Sequence, residues 1–328
     1  MALRLDFLKL LLARYTGAAR TQRKPDVFDA LASFPGREAL PWSLGSVLGA
    51  AVARFLPCRV VGVLGAALPL TSPTNLVRQM EVSPDGTLLY LLQYQPELEG
   101  ANVFLYARAT GARLAQTCMS DLTSFTVASD GAVFVASSRP YCVHVLTHEL
   151  VLCLTLASLD RWPTSLATSL DCVFVLMDET MKLTVLDRAS GAERDVYPRP
   201  FIDNNFWPES LCVADDALVV SGCFTRYVQH GGWCSDFTER IDGVVVFTLD
   251  IAPLHVLRVL YGRHPAKSLT YHAATNEVLL IYHPDTFCVV SLRDGSSRQL
   301  AVAASHVAAS SRGVLVMDTP MRGIRELQ

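Results

Sequence analysis

The stretch Met80–Leu92, "MEVSPDGTLLYLL", places two apolar runs on either side of a Ser-Pro-Asp-Gly break. Asp-Gly between such runs predicts a tight hairpin, because glycine adopts the positive φ of the turn without steric cost. Five more stretches carry the same pattern. They are "TVASDGAVFVA" (Thr126–Ala136), "LATSLDCVFVL" (Leu166–Leu176), "CVADDALVVSG" (Cys212–Gly222), "TYHAATNEVLLIY" (Thr270–Tyr282) and "HVAASSRGVLVMD" (His306–Asp318). Most intervals between their turns are near 40–45 residues, a period that marks a repeat architecture.

A second strand pair follows the first five copies. Examples are "NVFLYARATGARLAQT" from Asn102, "KLTVLDRASGAERDVY" from Lys182 and "FCVVSLRDGSSRQLAV" from Phe287. Each unit is therefore four short strands joined by hairpins, which is one blade of a β-propeller. The sixth copy ends in "RGIREL", enough for a third strand only. "RVVGVLG", residues 59–65, reads as a lone strand before the first unit and can supply the missing fourth. Pairing the two would close the ring and cover edges that otherwise recruit other chains. The expectation is an all-β, six-bladed β-propeller over 59–328, with 59–65 as the closing strand of the last blade. "LDFLKLLLARYTGA" and "PWSLGSVLGAAVARFL" predict a helical N-terminal extension over 1–58.

The "SPDG" and D-x-x-(T/S)-G hairpins resemble those of NHL, YVTN-type and WD40-like propellers. The resemblance covers about 65–328 in rhythm only. The Trp-Asp and Gly-His dipeptides of WD40 repeats are absent. What the resemblance implies is an architecture and no activity.

Composition narrows the function classes. Of 328 residues, 51% are hydrophobic and 18% charged, which excludes a disordered chain. The net charge of −3 makes no case for nucleic-acid binding. It hides an asymmetry. Residues 1–60 carry nine Lys/Arg against four Asp/Glu, net +5, and the remaining 268 carry nineteen against twenty-seven, net −8. The nine cysteines are odd in number, contain no C-x-x-C and sit in apolar runs. They read as reduced thiols in an intracellular, cytoplasmic setting. The basic N-terminus also fits a mitochondrial transit peptide in composition. Arg54, Pro57 and Arg59 interrupt the apolar stretch 41–70, so no transmembrane segment is expected.

No G-x-S-x-G, P-loop, H-E-x-x-H or paired-cysteine zinc spacing occurs, so no catalytic residue, metal ligand or cofactor is assigned. His144 and His148 fall in strand pattern on a shared face and read as structural. The fourth unit departs from the rhythm twice on one face. Its incoming link, 197–210, carries Asp203, Asn204, Asn205 and Trp207. Its internal loop, 223–243, carries Arg226, Tyr227, His230, Trp233, Asp236 and Glu239. Long loops on a rigid scaffold concentrate binding residues, and aromatics among charges suit a protein contact. These ten residues are the candidate binding site. The function expected is a non-catalytic protein-interaction scaffold. The alternative is a lactonase-like propeller hydrolase acting on a small polar substrate, with those acids and amides serving a divalent cation. Glu97 and Glu99 add negative charge to the same face and favour a basic partner.

Overall fold

The computed structural model describes residues 60–63, 76–95, 100–117, 119, 121–177, 182–197, 206–215, 217–228, 237–248, 256–262, 266–282, 286–317 and 324–327. The chain divides into two compact units, Met1–Leu56 and Pro57–Gln328. The expected helical extension, 1–58, lies outside the described residues.

Every regular element described is a β-strand. A short strand, β1 (Val60–Val63), comes first. Four consecutive strands then build each of five sheets. The first holds β2 (Leu76–Val82), β3 (Leu88–Gln95), β4 (Gly100–Ala107) and β5 (Arg113–Gln116). The second holds β6 (Leu122–Val127), β7 (Val133–Ser138), β8 (Tyr141–Leu146) and β9 (Leu152–Ser158). The third holds β10 (Pro163–Thr168), β11 (Cys172–Met177), β12 (Leu183–Asp187) and β13 (Glu193–Tyr197). The fourth holds β14 (Phe206–Ala214), β15 (Ala217–Val228), β16 (Phe237–Thr248) and β17 (Val256–Gly262). The fifth holds β18 (Ala266–His272), β19 (Glu277–Tyr282), β20 (Thr286–Ser291) and β21 (Ser297–Ala303). A sixth four-stranded sheet takes β22 (His306–Ser310), β23 (Gly313–Met317) and β24 (Ile324–Leu327), then β1 on its outer edge. There β1 runs antiparallel to β24, with Val60 opposite Leu327 and Val63 opposite Arg325.

Turn chemistry sets the hairpins. In the opening stretch Gly86 sits at φ 69°. Its N–H donates to the Ser83 carbonyl at 2.8 Å. The Asp85 carboxylate accepts the Ser83 hydroxyl at 2.5 Å and the Thr87 N–H at 3.1 Å. Those bonds hold its pKa down to about 2.

The apolar runs are continuous because the strands in the middle of each sheet are covered on both faces. Along β3, Leu89 and Leu91 pack with Met317 and Ile324 of the sixth sheet, while Tyr90 and Leu92 pack with Phe125 and Val135 of the second. One such apolar cluster fills the gap between every pair of neighbouring sheets, and the last joins the sixth sheet back to the first. The sheets thus stand in a closed ring, a propeller arrangement. Tyr90, Leu91, Val135, Leu176, Val220 and Ile281 are fully buried. Each buried side chain of this size contributes about 1.5–3 kcal/mol.

Arginines at the end of third strands reinforce the ring. Arg108 donates to the Gly86 carbonyl at 3.2 Å and to the Ser310 hydroxyl at 3.4 Å, and pairs with Glu326 at 2.7 Å. It therefore ties the first sheet to the sixth. Arg188 repeats the device between the third and second sheets. It pairs with Asp130 at 2.5 Å and lies over the Phe134 ring.

Candidate functional site

The innermost strands β2, β6, β10, β14, β18 and β22 surround a central channel of about 510 Å³. In five of them one extra residue shifts the register against the second strand. These residues are Arg78, Thr123, Thr164, Glu209 and Lys267. Such bulges re-aim the side chains beside them. The residue after each bulge is polar: Gln79, Ser124, Ser165, Ser210 and Ser268.

Four of those five side chains accept a backbone N–H from the next sheet. Gln79 Oε1 takes Phe125 at 3.1 Å, and Ser124 Oγ takes Leu166 at 3.2 Å. Ser165 Oγ takes Leu211 at 3.1 Å, and Ser268 Oγ takes Val307 at 3.3 Å. An inner strand presents an unpaired edge, and these contacts satisfy it from the side. The partners lie roughly forty residues apart, one repeat on.

Two residues further along each inner strand stand Glu81, Thr126, Ala167, Cys212, Thr270 and Ala308. Glu81 is the one carboxylate at this level. Its Oε2 accepts the Val127 N–H at 2.7 Å, and its Oε1 accepts the Gln79 amide at 3.0 Å. Desolvation inside the ring outweighs those bonds and pushes its pKa up to about 8. Burial, with Glu81 adding to it, also raises the Cys212 thiol far above its usual range. At the bulge level Arg78 lies over the Tyr94 ring, 5.1 Å from its centroid. Among the described residues no group of three or more His, Cys, Asp or Glu could hold a metal ion.

The two histidines do not share a strand face, which corrects the sequence expectation. β8 ends at Leu146, and His148 is exposed in the following turn, where Leu150 takes φ 66°. His144 is buried between the Cys142 thiol at 2.9 Å and the Thr155 hydroxyl at 3.0 Å. Burial lowers its pKa, so the neutral ring is favoured.

The fourth sheet also differs from expectation. Residues 197–210 and 223–243 are not loops throughout. β14 already begins at Phe206, so Trp207 is a strand residue opposite Cys223. β15 continues to Val228 and β16 starts at Phe237. The register sets Arg226 opposite Glu239 and Tyr227 opposite Thr238. β14 pairs only as far as Phe224, and β17 only from Asp242. Among the described residues, 225–228 and 237–240 therefore pair with each other alone, as a two-stranded arm. Of the predicted site, Trp207, Arg226, Tyr227 and Glu239 fall on these strands. Asp203, Asn204, Asn205, His230, Trp233 and Asp236 lie outside the described residues.

No described helix is long and apolar enough to cross a membrane. No protein-family model matches the sequence, and no curated protein matches it. Solved structures do. The WD40 repeats of RRP9 superpose with a TM-score of 0.54 at 10% identity, covering 83% of this chain and 99% of that one. U3-55K gives 0.52 at 9% identity, covering 83% and 98%. The β-propeller domain of Cps50 (Swd1) from Myceliophteria thermophila gives 0.53 at 9%, covering 83% and 99%. Identity this low speaks for fold alone: the chain is a β-propeller.

Proposed function

We propose that the protein is a non-catalytic interaction scaffold, a six-bladed ring in which each four-stranded sheet is one blade. Its hairpins keep the rhythm shared with NHL and YVTN-type propellers. The partner is a protein, and the binding element is the hairpin of the fourth blade. The observation that carries this reading is the arm of the fourth sheet, where, among the described residues, 225–228 pairs only with 237–240. A blade needs no such extension for closure or core. Backbone projecting from a rigid ring, with Arg226, Tyr227 and Glu239 on its strands, suits recognition of another chain. His230, Trp233 and Asp236 belong to the same element in sequence. Asp203, Asn204, Asn205 and Trp207 lie on the adjoining link or at the start of β14. The five cysteines whose side chains are described are free, Cys153 among them exposed, which supports a reducing, intracellular setting.

The test replaces residues 225–240 by a two-residue Asn-Gly turn joining Phe224 to Ile241. Affinity capture with mass spectrometry should lose the specific partners of the intact chain, while the cooperative unfolding transition is kept. Trp233→Ala with His230→Ala should give the same loss. Unchanged capture by the stable deletion variant would refute the reading.

A further inference from the structure

We propose that the central channel is a binding site for an organic cation, a protonated amine or a guanidinium, held by the Glu81 carboxylate. The proposal goes beyond the hairpin reading and stands independently of it.

Three observations carry it. First, the channel's volume, about 510 Å³, is that of a small-molecule site. Second, its inner level is chemically lopsided. Five of the six equivalent positions line it and supply one carboxyl group, the Thr126 and Thr270 hydroxyls, the Cys212 thiol and the Ala167 methyl, while the sixth, Ala308, packs between the sixth and first sheets. Third, no side chain that the structure describes forms an ion pair with Glu81. Arg78 stands three positions earlier on β2, at the bulge level, and is engaged over Tyr94.

Glu81 is partly buried, and a desolvated carboxylate without a counter-charge is costly unless it is protonated or paired. Desolvation already favours the protonated form of Glu81. A bound cation supplies the missing counter-charge and displaces that proton to solvent. The ligand class follows from the oxygens. The Val127 N–H, the Gln79 amide and the Thr126 hydroxyl already donate to the Glu81 carboxylate, which leaves a lone pair for an N–H donor but no open multidentate face for a hard metal ion. Hydroxyls of Thr126 and Thr270 add acceptors that an ammonium or guanidinium can use. An anion gains nothing here.

The full chain is titrated calorimetrically with n-butylammonium and methylguanidinium, with acetamide, propionate and calcium chloride as comparison probes. Both organic cations should bind at pH 8.5. Binding should release roughly a quarter of a proton at pH 8.5 and close to one at pH 6.5, read by repeating the titration in buffers of different ionisation enthalpy. Affinity should fall by roughly tenfold or more at pH 6.5, where Glu81 is mostly protonated. Glu81→Gln should abolish cation binding, and Glu81→Asp should weaken it while keeping the preference for cations. The wild-type proton release decides the matter even where the Gln variant does not fold. Absence of binding by both cations at pH 8.5, binding without proton release, undiminished binding in a folded Glu81→Gln variant, or binding of calcium alone would each overturn the proposal.

Discussion

Gly191 and Gly111 occupy equivalent hairpins, β12–β13 and β4–β5, with φ of 71° and 69°. Replacing each by alanine imposes the same left-handed backbone cost, about 1 kcal/mol. The surroundings differ. A Cβ on Gly111 would meet nothing within 4 Å, whereas one on Gly191 would lie 1.9 Å from the Leu156 carbonyl oxygen and 2.8 Å from its carbon. Both are backbone atoms of β9, and Leu156 packs in the cluster between the second and third sheets. No rotamer change relieves the clash, so the third-sheet hairpin must retreat from β9 by more than an ångström. Overpacking of this kind adds about 1–3 kcal/mol. Gly191→Ala should therefore cost about 2–4 kcal/mol against about 1 for Gly111→Ala. In thermal unfolding the first should lower Tm by roughly 4–16 °C and the second by roughly 2–4 °C. Urea denaturation of both variants gives the difference directly. Equal losses would show that the contact between these sheets yields easily and would refute the packing reasoning.

Arg108→Ala should destabilise the ring by about 3 kcal/mol, because Glu326 loses its partner and the first and sixth sheets lose a shared anchor. Chemical denaturation of Arg108→Ala, Glu326→Gln and the double variant should give strongly non-additive losses. Ser165→Ala should cost about 1–3 kcal/mol by leaving the buried Leu211 N–H unsatisfied, measurable by the same method. Stability should also depend on pH through Glu81. Its folded pKa of about 8 exceeds the unfolded value near 4.5, so between those values the folded state holds the extra proton. Stability then falls as pH rises through that window and levels off above it. The groups facing Glu81 are the Gln79 amide, the Thr126 hydroxyl, the Val127 N–H and the Cys212 thiol, none of which ionises there. Glu81→Gln should flatten the fall, gaining a few kcal/mol over wild type at pH 8. Parallel melts from pH 5 to 9 would detect it, and an equally steep fall in the variant would contradict the assignment.

The repeat was readable because hairpin chemistry is local. Asp85-Gly86, Asp130-Gly131 and Ser190-Gly191 announce turns within four residues, and runs such as "LLYLL" reflect strands covered on both faces. β1 opposite β24 was readable from an arithmetic of strands, since the last unit was one short. The arm of the fourth sheet was not. Among the described residues, 225–228 and 237–240 have no sheet neighbour beyond each other, their sequence carries no alternation of apolar and polar positions, and "TRYV" and "FTER" pass for loop. The channel was hidden for a different reason. Ser124 and Ser165 act on backbone groups of Leu166 and Leu211, and a hydroxyl bonded to a distant N–H leaves no mark in the sequence. Glu81 stood in the opening stretch itself, but only the ring shows that it lines the channel.

The β1–β24 seam has a consequence for biosynthesis. Roughly 260 residues separate Val60 from its partner Leu327, so this is among the least local contacts the chain makes. At typical translation speeds, on the order of 5–20 residues per second, β1 leaves the ribosome roughly 13–50 s before the strand it needs exists. Sheets two to five can form in order as they emerge. The "VVGV" strand must stay unpaired throughout that interval, and the first sheet waits equally long for its neighbour on the sixth. Completion of the ring is therefore a single late event, and a nascent chain stalled before Ile324 exposes two open sheet edges to every other chain nearby.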